Sequence, residues 1–129
     1  MELSMMNNEF GNYLKELRLS RSPQMTQEQL AIAIGRSKMT ISQFEKGKNA
    51  PPQGELLDKI IVALSLTQSE KSKLLFLSAR SRGILPNDIE EYFFENPEIC
   101  DVIRAAMNSG DDVDWLSLVD LIGASNAKD

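Results

Sequence analysis

The sequence predicts an all-α protein, with a five-helix domain over residues 1–83 and a short helical extension over residues 84–129. Three observations carry that expectation. Apolar residues recur at spacings of three and four along successive segments, the period of one helix face. Two segments open on a capping box, Thr26 with Gln29 and Thr67 with Glu70, which satisfies backbone amides left unpaired in a first helical turn. Glycine and proline are sparse, 7 and 5 in 129 residues, and most fall between the segments.

After an apolar-leaning arm at residues 1–6, Asn7 or Asn8 can cap a first helix carrying Phe10, Tyr13, Leu14 and Leu17 on one face. Residues 19–25 form a loop, because Pro23 lacks an amide hydrogen and disfavours helix at the residue before it. Thr26 opens a second helix with Leu30, Ala31 and Ile34 apolar, and Gly35 permits the left-handed conformation that ends it. Ser37 caps a third helix that turns Ile41 and Phe44 inward. A loop with two prolines leads to a fourth helix over residues 54–64, presenting Leu57, Ile60, Ile61 and Leu64. From Thr67 a fifth helix with Leu74, Leu75, Leu77 and Ser78 runs towards Arg82 and ends at Gly83.

In the extension, Pro86-Asn87-Asp88 opens a helix to about Glu95 with Ile89, Tyr92 and Phe93 apolar. Asn96 then caps a helix with Pro97 at its first position and a stripe of Ile99, Val102, Ile103 and Ala106. Gly110 breaks the chain, and Asp111 or Asp112 caps a last helix through about Gly123. The apolar residues there, from Val113 and Trp115 to Ile122, cover more than one face.

Composition narrows the function. With no histidine and a single cysteine, the usual zinc sets, histidine-based acid–base chemistry and an intrachain disulfide are excluded, which argues against an enzyme. Cys100 lies in an apolar helical pattern and reads as a buried, inert thiol. The acidic clusters around Glu90 and Asp112 lack the glycine and terminal glutamate of a calcium loop, so neither a metal nor a cofactor is expected. No apolar run reaches the roughly 18–20 residues of a membrane span, and the first residues lack the pattern of a signal peptide, so the chain is read as cytoplasmic. The net charge of −5 hides an asymmetry. Residues 1–83 hold twelve basic side chains against eight acids, a net +4, and residues 84–129 hold two against eleven, a net −9. A mildly basic domain joined to an acidic tail fits that distribution.

Residues 26–48, TQEQLAIAIGRSKMTISQFEKGK, concentrate the functional signal. Small Ala31, turning Gly35, β-branched Ile41 and large Phe44 stand at the spacing of two short helices meeting at a glycine, with Ser42 beside Ile41 and with Glu45, Gly47 and Pro51 following. This arrangement resembles the helix-turn-helix of the XRE family, which includes the phage repressors and Cro proteins. Any helical protein contains helix pairs with a glycine in the turn; the residues after the motif are what make the likeness specific. It covers about the first 75 residues and implies a repressor-like DNA-binding domain. It also implies that Arg18 pairs with Glu45, tying the first helix to the end of the reading helix, and that Gly11 occupies a family position.

For double-stranded DNA, the resemblance puts the third helix in the major groove. Lys38, Met39 and Gln43 then fall at base-reading positions, suited to guanine, a thymine methyl and adenine respectively. Thr40 and Ser42 are secondary base or phosphate contacts. Gln27, Arg36, Ser37, Lys46, Lys48 and Asn49 are the phosphate candidates, although lysines there also serve simply to solvate a surface. One such module touches few base pairs, so a homodimer on a palindromic site is expected. Trp115, Leu118, Val119 and Ile122 are its candidate interface, or alternatively the tail's own core. The expectation is thus a transcriptional regulator, most naturally a repressor. Two rivals keep the same fold: an antitoxin whose C-terminal region neutralises a protein partner, and an interaction module that reads no DNA.

Overall fold

In the computed structural model, which describes residues 8–110 and 112–126, the chain is helical from Glu9 onward. The helices are α1 (Glu9–Ser20), α2 (Gln27–Ile34), α3 (Lys38–Glu45), α4 (Gly54–Ala63), α5 (Gln68–Arg80), α6 (Asn87–Glu95), α7 (Glu98–Ser109) and α8 (Trp115–Asn126), with no strand among the described residues. Two compact units divide the chain inside α6, Met1–Glu91 and Tyr92–Asp129. The first therefore holds the five expected helices and the beginning of a sixth.

The apolar stripes meet in one core. Phe10, Leu14 and Leu17 of α1, Leu30, Ala31 and Ile34 of α2, Ile41 and Phe44 of α3, Leu57, Ile60 and Ile61 of α4 with the following Leu64, and Leu74 and Leu77 of α5 are all buried. Each fully buried leucine, isoleucine or phenylalanine contributes about 1.5–3 kcal/mol relative to exposure. α2 packs on α3 and α4, while α1 packs on α3 and α5, so α3 is held from two sides. Thr26 and Thr67 form the complete capping boxes expected of them. Arg21, which carries no role in the sequence reading, spans the first and fifth helices. It donates to the Leu64 carbonyl and bridges Glu70 at 2.8 Å. The Arg21 hydrogen bond, followed by the Thr67 backbone amide, holds the Glu70 carboxyl below its usual range.

The second unit is built differently. No described side chain of residues 92–123 is buried; Phe93, Ile99, Ala106 and Val113 are half-buried and most other apolar residues stand open to solvent. Three capping expectations are corrected here and at the start of α1. Asn8 precedes α1 but makes no capping bond, its Nδ2 donating instead to Asn12 Oδ1 at 3.1 Å. Asn96 does not cap α7; its Nδ2 reaches back to the Tyr92 carbonyl, and Pro97 stands at the cap position, one place before the first helical residue. The cap of α8 is Asp114 rather than Asp112, because its carboxylate lies where both the amide and the hydroxyl of Ser117 donate to it. Those bonds, the hydroxyl's first, hold the Asp114 carboxyl below its usual range. Val113 accordingly precedes α8. Cys100 is half-buried rather than buried, since α7 covers no face of its own completely. Asn7, Asp111 and the arm at residues 1–6 lie outside the described residues. Among those described, no helix is long and apolar enough to cross a membrane.

Candidate nucleic-acid interface

The turn between α2 and α3 is a glycine turn closed at both ends. Gly35 adopts φ +71°, which a side chain would oppose, and its amide with that of Arg36 returns to the Ile32 and Ala31 carbonyls at 3.2 and 2.9 Å. Two residues later the Ser37 hydroxyl accepts from the Thr40 amide at 3.2 Å and lies 3.0 Å from the Thr40 hydroxyl, so both are engaged in starting α3. Buried Ala31 presents a small side chain where α2 packs on α3.

Within α3, Ile41, Phe44 and Glu45 point inward and are buried. The inner end of the helix is clamped by polar groups as well as apolar ones. Arg18 Nε and Nη2 donate to the two Glu45 oxygens at 2.7 and 2.9 Å, a two-point pairing of buried groups, and Arg18 Nη1 donates to the Met25 carbonyl. Gln27 Nε2 adds a further donor to Glu45 Oε1 at 2.9 Å. α1 reaches this end at Gly11, where a Cβ would lie 2.4 Å from the Phe44 carbonyl oxygen and 2.5 Å from that of Glu45. Only glycine fits that approach.

Beyond α3, Gly47 at φ +74° folds the chain back, and the Lys48 and Asn49 amides return to the Gln43 carbonyl at 2.9 and 3.4 Å. The Asn49 side chain also reaches Gln43, its Nδ2 donating to Oε1 at 2.8 Å. Buried Pro51 and Pro52 then tie this loop to α5, because Arg82 donates to the Pro51 carbonyl and Ser78 Oγ to that of Pro52 at 2.6 Å.

What remains outward is a shallow groove of about 530 Å³ lined by Gln27, Lys38, Met39, Ser42, Gln43, Lys46 and Lys48. The structure thus brings all three base-reading candidates together with Ser42 and three of the phosphate candidates. Arg36 and Ser37 sit at the turn before the groove, Asn49 beyond it, and Thr40 is half-covered beside Ser37. Met39 is 67% exposed, an uncovered apolar side chain among cations. Lys38, Lys46, Lys48 and Arg36 form no ion pair among the described residues, whereas Arg18, Arg21, Lys59 and Arg80 each do. Far along the chain, Trp115, Leu118, Val119 and Ile122 are exposed on α8 and form no buried core.

Several of these contacts have no mark in the sequence. Gly11 sits inside a helical pattern, where its close approach has no periodic signature. Gln27 reads as a solvent-facing residue at a helix start, yet it turns towards Glu45. Ser78 and Arg82 read as one more stripe position and a helix-end cation; their role depends on where residues 51–52 return.

Comparison with known proteins agrees with this geometry. Residues 9–74, about half of the chain, match the model of a family described as "Helix-turn-helix domain", spanning α1 through most of α5. The chain is also similar to RghRB of Bacillus subtilis (strain 168), named an uncharacterized HTH-type transcriptional regulator. The two are 29% identical over 101 residues, which cover 78% of this chain and 68% of the relative. No solved structure gives a significant match. A glycine-turned helix pair, a second helix anchored inside and open outside, and a family match running from α1 into α5 make this chain a member of the helix-turn-helix domain family.

Proposed function

We propose that this protein is a sequence-specific DNA-binding transcriptional regulator of the XRE type, built on a repressor-like domain and acting in the cytoplasm as a repressor. The observation that carries this reading is the outer face of α3. It gathers Lys38, Met39 and Gln43 in one exposed groove, flanked by cations that form no ion pair among the described residues. Unpaired cations around a protruding helix supply the sequence-independent attraction to phosphate, and the uncharged groups between them supply discrimination between bases. Lys46, Lys48 and Arg36 are assigned to phosphates. Ser37 and Gln27 join them through the amino ends of α3 and α2, where backbone amides point outward. Thr40 and Ser42 take secondary contacts, and no catalytic role is assigned.

Useful specificity requires two such modules, and the exposed apolar side chains of α8, including Trp115, Leu118, Val119 and Ile122, are assigned to joining two copies. A two-fold dimer sets its reading helices about 34 Å apart on a palindromic operator. A second reading rests on the same surface. It lies in a segment of net charge −9, which suits a basic protein partner of the kind an antitoxin neutralises.

Selection of bound sites from random duplex DNA, with Lys38→Ala plus Gln43→Ala as the control, tests the proposal. The parent is expected to enrich a two-fold symmetric site, and the double variant, still helical and cooperatively folded, to lose that preference. Equal binding by both proteins would mean that α3 is not the reading surface. An enriched site without symmetry, with a monomer in light scattering, would remove the dimer and leave α8 to another partner.

A further inference from the structure

Gln43 does not present a free amide to the groove. Its Oε1 already accepts a hydrogen bond of 2.8 Å from Asn49 Nδ2. The backbone keeps the two side chains together: Gly47 turns the chain into the left-handed region, the Lys48 amide closes on the Gln43 carbonyl, and the Asn49 amide points at the same carbonyl. A carboxamide offers a donor on one side and an acceptor on the other, and it can turn over about its last torsion to exchange them. Asn49 ties that choice to its own amide: while its Nδ2 donates, Gln43 turns its Nε2 hydrogens away from Asn49, and the Gln43 oxygen keeps one lone pair for a second donor.

We infer that Asn49 is a positioning residue for base selection, acting through Gln43 rather than on a phosphate. This rests on the DNA-reading assignment of α3. An adenine edge offers an acceptor at N7 beside a donor at N6, and a glutamine amide matches it in only one of its two orientations. With Asn49 donating, the Gln43 amide is held in one orientation before DNA arrives, so it loses less freedom on binding, and a base needing the reversed order requires both amides to turn over together.

The test uses the full chain. Sites are selected from random duplex DNA by the parent, Asn49→Ala, Asn49→Asp, Gln43→Ala and the Gln43→Ala/Asn49→Ala pair, and affinity for the parent's best site is followed against salt. In Asn49→Ala, discrimination is expected to fall about three- to tenfold at one base pair, the size of one lost hydrogen bond. That base pair is the one Gln43→Ala also relaxes, and the paired variant is no worse there than Gln43→Ala alone. The salt slope stays unchanged. Asn49→Asp offers only acceptors, so the Gln43 amide turns over to donate to it and the preferred base at that position changes, an outcome that loss of folding cannot imitate. Asn49 would instead be a phosphate contact if Asn49→Ala kept the parent's base preferences and lowered the log–log salt slope by about one. Unchanged preference and unchanged slope would also overturn the positioning role. A parent protein that enriches no sequence would fail the DNA-reading assignment itself, and this inference with it.

Discussion

The two most instructive helices of the chain are α3 and α8, because their compositions and their fates are reversed. α3 reads KMTISQFE, five of its eight residues polar, yet it is fixed by three inward side chains, a two-point ion pair and a glycine contact. α8 begins WLSLVDLI, far more apolar, and leaves those residues exposed. The same contrast separates the units. Among the described residues every buried apolar side chain lies in Met1–Glu91, while α7, with a well-separated apolar stripe, buries none. Burial thus follows the supply of a complementary surface rather than apolar content.

The strongest way to break the contrast is to attack α3 from inside. Arg18→Ala leaves Glu45 buried with an unmatched charge and is expected to cost about 3–5 kcal/mol in urea unfolding. Replacing both, as Arg18→Met with Glu45→Leu, is expected to recover most of that loss. Next in size is a matched pair of truncations. Leu74→Ala in the core is expected to cost about 2–5 kcal/mol, and Leu116→Ala on α8 to stay within about 0.5 kcal/mol at concentrations where the protein is monomeric. A larger, concentration-dependent effect of Leu116→Ala would show a second copy covering α8.

Smaller effects sharpen the description of the first unit. Glu70 has a folded-state pKa below its ordinary 4.5, so its pairing with Arg21 contributes fully above that value and is lost as pH falls through the depressed folded value. Glu70→Gln is therefore expected to lower stability near neutrality but to flatten its decline below about pH 4.5, as read from urea midpoints across pH. Last comes Ser65, which takes φ +50° just after α4. Ser65→Gly relieves that conformation and is expected to raise stability by about 0.5–1 kcal/mol in thermal unfolding.

The helices of the first unit were legible in the sequence because each carries a period and a stop signal that act locally. Thr26 with Gln29, Gly35 and Ser37 need only their own neighbours to do what they do. Arg18 with Glu45 was legible through resemblance alone, since 27 residues separate them and no local rule joins them. Asn49 is a phosphate candidate in the sequence through the family resemblance; its bond to Gln43 depends on the turn at Gly47. The caps of the second unit were misplaced for a related reason. An asparagine between glutamates stands at the start of α7 and three aspartates stand before α8, and the choice of Asp114 over Asp112 depends on which carboxylate meets the Ser117 amide and hydroxyl.

The clamp on α3 separates two kinds of information within eight residues. Ile41, Phe44 and Glu45 answer to the core, while Lys38, Met39 and Ser42 face the groove and Gln43 faces it with its oxygen held by Asn49. The outer set can be exchanged for that of another helix without asking anything of the inner set, provided Asn49 is exchanged along with Gln43. A protein arranged this way can change what it recognises by a few surface substitutions while its folding stays the same.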